Sequence, residues 1–209
     1  MRKRGVFYFL GLLLALQFSN AQKVIKKSIV NTDISHIRID VKNCFGIDLA
    51  TSDSDVLVIE AQFDGEYEKD LLLNISEKGS TIVVSADLQP NFVKPNDKLS
   101  AHKVISVALK VILPKQKDVH VFGSNCNVIA TGVYDFLKVS LNDGRCDLIN
   151  VSEAVEVNTH SGHISAKYSQ AAIRAKSKYG KVIGTISKKG NSDYNLSTVT
   201  GDIHLKRVE

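Results

Sequence analysis

The segment His160-Ser161-Gly162-His163 is the most enzyme-like cluster of side chains in the chain, and His204 follows further on. Neutral imidazole is a common metal ligand, and a serine beside a histidine could supply a nucleophile and its base. No aspartate, glutamate or cysteine stands at ligand spacing from these histidines, and Ser161 lacks the context of a nucleophile elbow. The sequence therefore predicts no metal site and no hydrolase triad.

The carboxylates of the C-terminal half are scattered along the chain. Asp143 and Asp147 flank one turn, where aspartate is an ordinary residue. Glycoside hydrolysis needs two carboxyl groups at a defined separation, and no pair stands out. We therefore predict a non-enzymatic protein with no catalytic or cofactor-binding residue. A polysaccharide-degrading enzyme is the less favoured alternative, and it requires turnover that depends on Asp147 or His163.

The distribution of charge favours a binding surface. No acidic residue occurs from Val157 to Ser192, whereas seven occur from Asp53 to Asp70. Basic side chains in the first of these stretches could attract phosphate, sulfate or uronate groups of surface glycans. Alternatively, they could be a solvated face that keeps exposed strands from pairing with other chains. The candidate anionic-ligand surface consists of Arg174, Lys176, Lys178, Lys181, Lys188 and Lys189.

These residues lie on a repeat with apolar residues at positions 0, 2, 9 and 11 and usually a glycine at position 7. The repeat units begin at Val119, Leu137, Val155, Ile173 and Tyr194, with spacings of 18, 18, 18 and 21 residues. Such a period is typical of a solenoid, in which each turn of chain, or rung, lies on the next about 4.8 Å away. The pattern predicts glycines in turns of positive φ and solvent-facing side chains at positions 1, 8 and 10. It also predicts that Lys138, Glu156 and Arg174 alternate in sign on successive rungs.

The rest of the chain also alternates with a period of two, which indicates strands. Examples are Phe45-Ile47-Leu49, Val56-Val58 and Val107-Leu109-Val111-Leu113. The predicted fold is all-β, a single-stranded β-solenoid (β-helix) with an irregular N-terminal part, preceded by a cleaved signal peptide. The expected boundaries are residues 1–21 for the signal peptide, 22–115 for the N-terminal β part with a loop at 88–103, and 116–209 for regular repeats of about 18 residues.

The first 21 residues have the pattern of a secretory signal: a basic start, an apolar run of about 14 residues and a small-x-small site ending at Ala21. The run is shorter than the roughly 20 residues of a membrane span, so no transmembrane span is expected in the mature chain. Removal of Arg2, Lys3 and Arg4 from 27 basic residues leaves 24 against 22 acidic ones. This near balance disfavours a nucleic-acid partner. The expected location is the periplasm, the cell surface or the medium.

The chain has three cysteines, Cys44, Cys126 and Cys146. Free, buried thiols are the favoured interpretation. In the 18-residue register, Cys126 and Cys146 lie about 8 Å apart, beyond the usual disulfide limit of about 7 Å. A 20-residue spacing of the first rung would stack them directly and allow a bond, so both registers stay open.

The units VEVNTHSGHISA (155–166) and YNLSTVTGDIHL (194–205) resemble the "strand, Thr/Ser-x-x-Gly-Asp-Ile" unit of putative adhesin domains. The lead-in VALKVILPKQKDVHV (107–121) is similar to the strand, proline and turn that precede the unit in those domains. The resemblance implies an exported bacterial β-solenoid related to auto-transporter-like adhesin heads, without known catalytic residues. One departure is Cys126, which occupies the glycine column of the first rung.

The leading hypothesis is a non-enzymatic adhesin or surface binding module that recognises a surface glycan. The alternative is a structural or regulatory envelope protein that binds another protein along exposed strand edges. Neither hypothesis requires a cofactor.

Overall fold

The structure is a computed structural model that describes residues 23–30, 33–65, 67–93 and 105–208. The predicted signal peptide, residues 1–21, lies outside the described residues, and so do residues 94–103 of the predicted loop. The described chain is all-β apart from one 3-10 turn at Glu68–Asp70. Its strands are β1 (Lys23–Val30), β2 (His36–Asp40), β3 (Gly46–Ser52), β4 (Val56–Gly65), β5 (Leu71–Lys78), β6 (Thr81–Leu88), β7 (Ile105–Pro114), β8 (Asp118–Thr159), β9 (His163–Tyr168), β10 (Ala171–Ser177), β11 (Val182–Gly184), β12 (Ser192–Thr198) and β13 (Ile203–Arg207).

The strands form a β-solenoid-like stack in which each rung contributes one strand to each of two sheets around a common core. In the first sheet, β6, β2 and the start of β8 (118–122) run parallel, and so do the end of β8 (154–159), β12 and β10. β5 closes the edge antiparallel to β6. In the second sheet, β7, β3, later parts of β8, β9, β13 and β11 run parallel, and β4 and β1 add antiparallel strands beside β7. The long strand β8 passes between the two sheets and joins them.

The apolar columns of the repeat point inward, as predicted. The four positions of the Leu137 rung, Leu137, Val139, Cys146 and Leu148, are all fully buried. The corresponding residues of the Tyr194 rung are Tyr194, Leu196, Ile203 and Leu205, and they are 0–6% exposed. Inward residues of both sheets belong to one hydrophobic cluster. Valine, isoleucine and leucine suit this arrangement because branched side chains pack well on a pleated surface.

The order of the rungs at the C-terminal end differs from the sequence order. Tyr194 of β12 pairs with both Val155 of β8 and Ile173 of β10. Ile203 of β13 likewise pairs with Ile164 of β9 and Val182 of β11. The Tyr194 rung therefore lies between the Val155 and Ile173 rungs, and the expectation of simple successive stacking was wrong.

Burial explains this inversion. The Tyr194 rung has four large apolar residues and is covered on both sides. The Ile173 rung has small or less buried residues at three of its four inward positions: Ala175 is partly buried, Val182 is 36% exposed and position 11 is Gly184. A rung at the end of the stack can bury only one side, so the less apolar rung is the better end piece.

The N-terminal part contains the same kind of inversion. β2 pairs with β6 on one side and β8 on the other, and β3 pairs with β7 and β8. The first rung in the sequence, made of β2 and β3, thus lies between the later β6–β7 layer and the Val119 rung. Ile37 stacks beside Val119 and Ile47 beside Val128, so this rung continues the columns of the regular repeat.

Two predicted facings change in this region. The Val107–Leu113 alternation is confirmed, since its four apolar residues are 0–2% exposed. In β4, however, Leu57 and Ile59 are buried, whereas Val56 and Val58 are only partly buried. Phe45 is 55% exposed, because β3 begins at Gly46 and its alternation buries Ile47 and Leu49. Short apolar pairs do not determine their own facing, and the neighbouring strands decide it.

Candidate anion-binding face

The basic residues predicted as a ligand surface all lie on the terminal rung of the described stack. Arg174 and Lys176 are exposed on β10 in the first sheet, and Lys178 follows that strand. Lys181 precedes β11 in the second sheet, and Lys188 and Lys189 lie between β11 and β12. The six residues therefore surround one end of the stack, and the structure does not bring them together on one face.

Two of these six side chains have partners on their own rung or the next. The Arg174 guanidinium forms an ion pair with Asp193 at 2.9 Å. The Lys178 ammonium lies 4.9 Å from the centre of the Tyr179 ring. The predicted alternation of charge is confirmed for Lys138 and Glu156, which are 2.9 Å apart, but Asn195 separates Glu156 from Arg174.

A different basic surface lies on the outer side of the second sheet. It surrounds a cavity of about 690 Å³ on β8, β9, β11 and β13. We call it the basic face and define it by Arg145, His163, Lys167, His204 and Lys206, which line this cavity. Arg145 and His163 are at position 8 of their repeat units and His204 is at position 10. Both positions were predicted to face solvent, and all three side chains lie on the basic face. Lys167 and Lys206 extend the face at position 12.

Lys167 and Lys206 occupy directly paired positions on β9 and β13. Ile149, the next residue in this row, supplies no charge. Within the described part of the chain, no carboxylate forms an ion pair with either lysine. Like charges on paired positions of neighbouring strands disfavour each other, so an anion held between the two ammonium groups would be stabilising.

The acidic groups near the basic face already have partners. Asp147 accepts a hydrogen bond from Nε of Arg145 at 2.8–2.9 Å. Asp202 accepts the backbone N–H of Lys181 through Oδ1 at 2.7 Å. Asp143 accepts the N–H of Gly144 at 2.8 Å in a turn. These bonds give Asp143 and Asp147 structural roles.

The histidines of the basic face differ in their surroundings. Nδ1 of His163 accepts the backbone N–H of Asp202 at 3.0 Å, which leaves Nε2 as the protonated nitrogen of the neutral ring. His204 is exposed and pairs in register with Ser165. Among the described residues, no group of three His, Cys, Asp or Glu side chains could hold a metal ion.

The three cysteines are free and buried, so in this structure Cys126 and Cys146 do not form a disulfide. Burial raises the pKa of Cys44 and of Cys126 to about 12, and it also raises the pKa of Cys146. Thiols that stay protonated are poor nucleophiles and poor metal ligands. The three side chains act as small apolar core residues.

The sequence predicts that Arg145 faces solvent, but neither Arg145 nor Lys206 was among the predicted ligand residues, and the pairing of Lys206 with Lys167 was not predicted. A signal was available, because position 12 of the repeat is also an outward position and carries lysine in two units. The neighbour relation was not available, since Lys167 and Lys206 are 39 residues apart and meet only through the rung inversion.

Residues 115–209 match the family model described as Toastrack DUF4097. Among solved structures, a putative cell adhesion protein from Clostridium sporogenes ATCC 15579 is similar over 90% of this chain and 100% of its own. Its TM-score is 0.64 and its sequence identity is 15%. This likeness supports the β-solenoid-like fold.

Two further structures are more distant. A putative adhesin from Bacteroides fragilis NCTC 9343 covers 90% of this chain and 98% of its own, with 13% identity and a TM-score of 0.30. A putative adhesin from Parabacteroides merdae ATCC 43184 covers 90% and 97%, with 14% identity and a TM-score of 0.29. No curated protein matches the chain. These three structures carry the names of adhesion proteins, and none is named as an auto-transporter head. No helix among the described residues is long and apolar enough to cross a membrane.

Proposed function

We propose that the protein is a non-catalytic, exported binding module of the adhesin type that holds anionic groups of surface glycans on its basic face. The observation that carries this proposal is the direct pairing of Lys167 with Lys206 beside a cavity of about 690 Å³. A phosphate, sulfate or uronate group between the two ammonium groups would replace their repulsion with two charge-assisted hydrogen bonds. Arg145 and the two histidines supply further donors around the same cavity.

Export is part of the proposal. The signal-like pattern of residues 1–21 supports it, and so do the names given to the structural neighbours. A location at the cell surface would bring the basic face into contact with acidic glycans.

Binding of an acidic oligosaccharide to the mature chain tests this function. We expect an oligogalacturonate to bind and a neutral galactose oligomer of the same length to bind far more weakly. The double variant K167Q/K206Q should lose at least about tenfold in affinity, because hydrogen bonds to charged groups are worth about 1.5–3 kcal/mol each. Raising the ionic strength should weaken binding by the wild-type protein.

The variant K188Q/K189Q is the matched control, since it removes two exposed lysines from the terminal rung. If it loses affinity while K167Q/K206Q does not, the ligand lies on the surface predicted from sequence, and the basic face is the wrong site. Release of shortened oligogalacturonate during the assay, abolished by replacing Asp147 or His163, would overturn the non-catalytic proposal.

A protein partner is the second candidate, and the terminal rung favours it. Among the described strands, β10 and β11 each pair on one side only, with β12 and β13. The same rung exposes Tyr179, Val182, Ile183 and Ile186. Such an edge can add a strand from another protein. Cross-linking on intact cells that returns one protein partner, together with no oligosaccharide binding, would favour this alternative.

A further inference from the structure

A second cluster of basic side chains lies on the outer side of the first sheet, away from the basic face. Arg38 of β2 pairs in register with His120 of β8. Lys138 lies in the same row one rung further on, and together with Arg38 and His120 it lines a cavity of about 400 Å³. Three potentially cationic side chains thus occupy neighbouring positions across three rungs.

The three members of this row are not equally neutralised. Lys138 forms an ion pair with Glu156 at 2.9 Å, and Glu156 also accepts a hydrogen bond from Asn158 at 2.7 Å. Arg38 forms no ion pair with a carboxylate among the described residues, and its guanidinium lies 5.4 Å from the centre of the Phe122 ring. An exposed arginine held over an aromatic ring keeps its hydrogen-bond donors free for a ligand.

Aromatic and polar side chains complete the cavity. Phe136 lines it. Phe122 is not part of the lining but packs against His120, with the two rings 5.4 Å apart and inclined at 51°. On the other side, Nδ1 of His36 lies 3.1 Å from the carboxylate of Asp118, so the two side chains contact each other. The cavity combines a free guanidinium, an imidazole and an aromatic wall, which is the composition of a small-ligand site.

We propose that this cavity is a second ligand site, which takes one acidic sugar residue through its carboxylate. The planar guanidinium of Arg38 matches a carboxylate in a bidentate pair. Nε2 of His120 lies 3.5 Å from Oγ of Ser140, so the imidazole donates a further hydrogen bond to the ligand through Nδ1. The apolar face of the sugar ring packs against Phe136. The ligand class follows the proposed function, but the site shares no residue with the basic face, so each can fail alone.

Protonation of His120 is coupled to binding at this site. Burial, followed by the charges of Lys138 and Arg38, lowers the pKa of His120 below 6.5, whereas Glu156 acts in the opposite direction. The nearby pair of His36 and Asp118 also faces the cavity, and β6 contributes only the uncharged Thr81. A bound carboxylate stabilises the protonated imidazole, so binding takes up a proton and becomes tighter as the pH falls.

Calorimetric titration of the mature protein with monomeric galacturonate tests the site. Monomeric galactose is the neutral ligand control, and the variant K42Q is the protein control, because Lys42 is exposed in the turn between β2 and β3. We expect R38Q to lose at least tenfold in affinity while keeping the wild-type melting temperature. R38K should recover only part of it, because an ammonium cannot form the bidentate pair.

The H120Q variant supplies a second readout. In the wild-type protein, affinity should rise between pH 7.5 and pH 5.5, and H120Q should remove this rise. Unchanged galacturonate affinity in R38Q, equal affinity for galactose, or the same pH dependence in H120Q would each overturn the proposal. Loss of galacturonate binding in K167Q/K206Q with R38Q intact would instead place the monomer on the basic face.

Discussion

At the scale of single residues, close contact between backbones explains the glycine column better than turn geometry does. Only Gly144 in the column has a positive φ, of 102°. A Cβ on Gly201 would lie 2.1 Å from the carbonyl oxygen of Gly162, and a Cβ on Gly180 would lie 2.1 Å from that of Gly201. The prediction of positive φ was therefore wrong for Gly162, Gly180 and Gly201. Cys126 begins the column, and Gly144 accommodates its carbonyl.

Replacing Gly201 with alanine should destabilise the protein strongly. The added Cβ meets the carbonyl of Gly162 from one side and Oγ1 of Thr198 at 2.9 Å from the other, and a paired rung cannot move easily. Overpacking of this kind costs about 1–3 kcal/mol or more in the free energy of unfolding. Urea denaturation measures the change.

Gly46→Ala is the control for that experiment. A Cβ there would lie 3.7 Å from the nearest atom, the carbonyl oxygen of Asn127, which is an ordinary contact. We expect G46A to change the free energy of unfolding by less than about 1 kcal/mol. Equal losses in G46A and G201A would contradict the close-packing explanation.

His120 should make folding stability depend on pH. Its pKa is lowered in the folded state, so the unfolded chain binds a proton more readily. As the pH falls from about 6.5 towards the folded pKa, the unfolded state gains protons first and the free energy of unfolding decreases. Urea denaturation at pH 7.5 and pH 5.5 should show a smaller decrease in H120Q than in the wild type. The variant H204Q, at an exposed position, should behave like the wild type; a flattened curve in H204Q but not H120Q would refute the assignment.

At the scale of elements, the rung inversion decides which side chains meet. β12 separates β8 from β10, so Glu156 is paired with Asn195, and Asn195 with Arg174. Neighbouring parallel strands are about 4.8 Å apart, and alternate strands are about twice that distance apart. Only the first distance falls within the disulfide limit of about 7 Å between Cα atoms.

Engineered disulfides test this order directly. We expect E156C/N195C to cross-link readily under mild oxidation, and E156C/R174C to remain reduced. Both variants lose Glu156, so the loss of its ion pair with Lys138 is common to the two. Non-reducing peptide mapping identifies the bond. A bridge between the two introduced cysteines of E156C/R174C would show that the Val155 and Ile173 rungs are neighbours, and it would contradict the rung inversion.

At the scale of the whole molecule, the described stack ends in the Ile173 rung. This rung has fewer buried apolar side chains than the other rungs and carries several lysines. Terminal repeats of solenoids need polar outer surfaces to stay soluble, and exposed lysines discourage pairing of edge strands. The terminal rung combines Lys176 and Lys178 with the exposed side chains of Tyr179, Val182 and Ile183. We therefore expect Lys176 and Lys178 to protect the edge strands, whether or not they also belong to the ligand surface predicted from the sequence.

Removing charge from this edge should promote self-association. We expect K176Q/K178Q to form concentration-dependent dimers or larger species in sedimentation velocity experiments at micromolar concentration. The variant K42Q/K69Q removes two exposed lysines away from the terminal rung and should sediment like the wild type. Identical sedimentation of both double variants would show that these lysines do not protect the edge.

The amino-acid sequence by itself determined the class of fold, the 18-residue period, the inward columns and the outward positions of Arg145, His163 and His204. These features depend on local alternation, because side chains of a strand point to opposite faces in turn whatever its neighbours are. The repeat also has glycine where the backbones of neighbouring rungs touch. The reason is this close contact, and not the positive φ that the pattern predicts.

Only the tertiary structure decided which rung lies beside which. Lys167 meets Lys206, and Arg38 meets His120, across 39 and 82 residues of chain. The first pairing follows from covering the Tyr194 rung on both sides and leaving the less apolar Ile173 rung at the end of the stack. The second follows from the position of the β2–β3 rung between the β6–β7 layer and the Val119 rung. The burial of one rung depends on all the other rungs. The spatial order of the rungs therefore cannot be predicted from the pattern of a single repeat unit. Both proposed sites arise from that order, because each is assembled from side chains on different rungs.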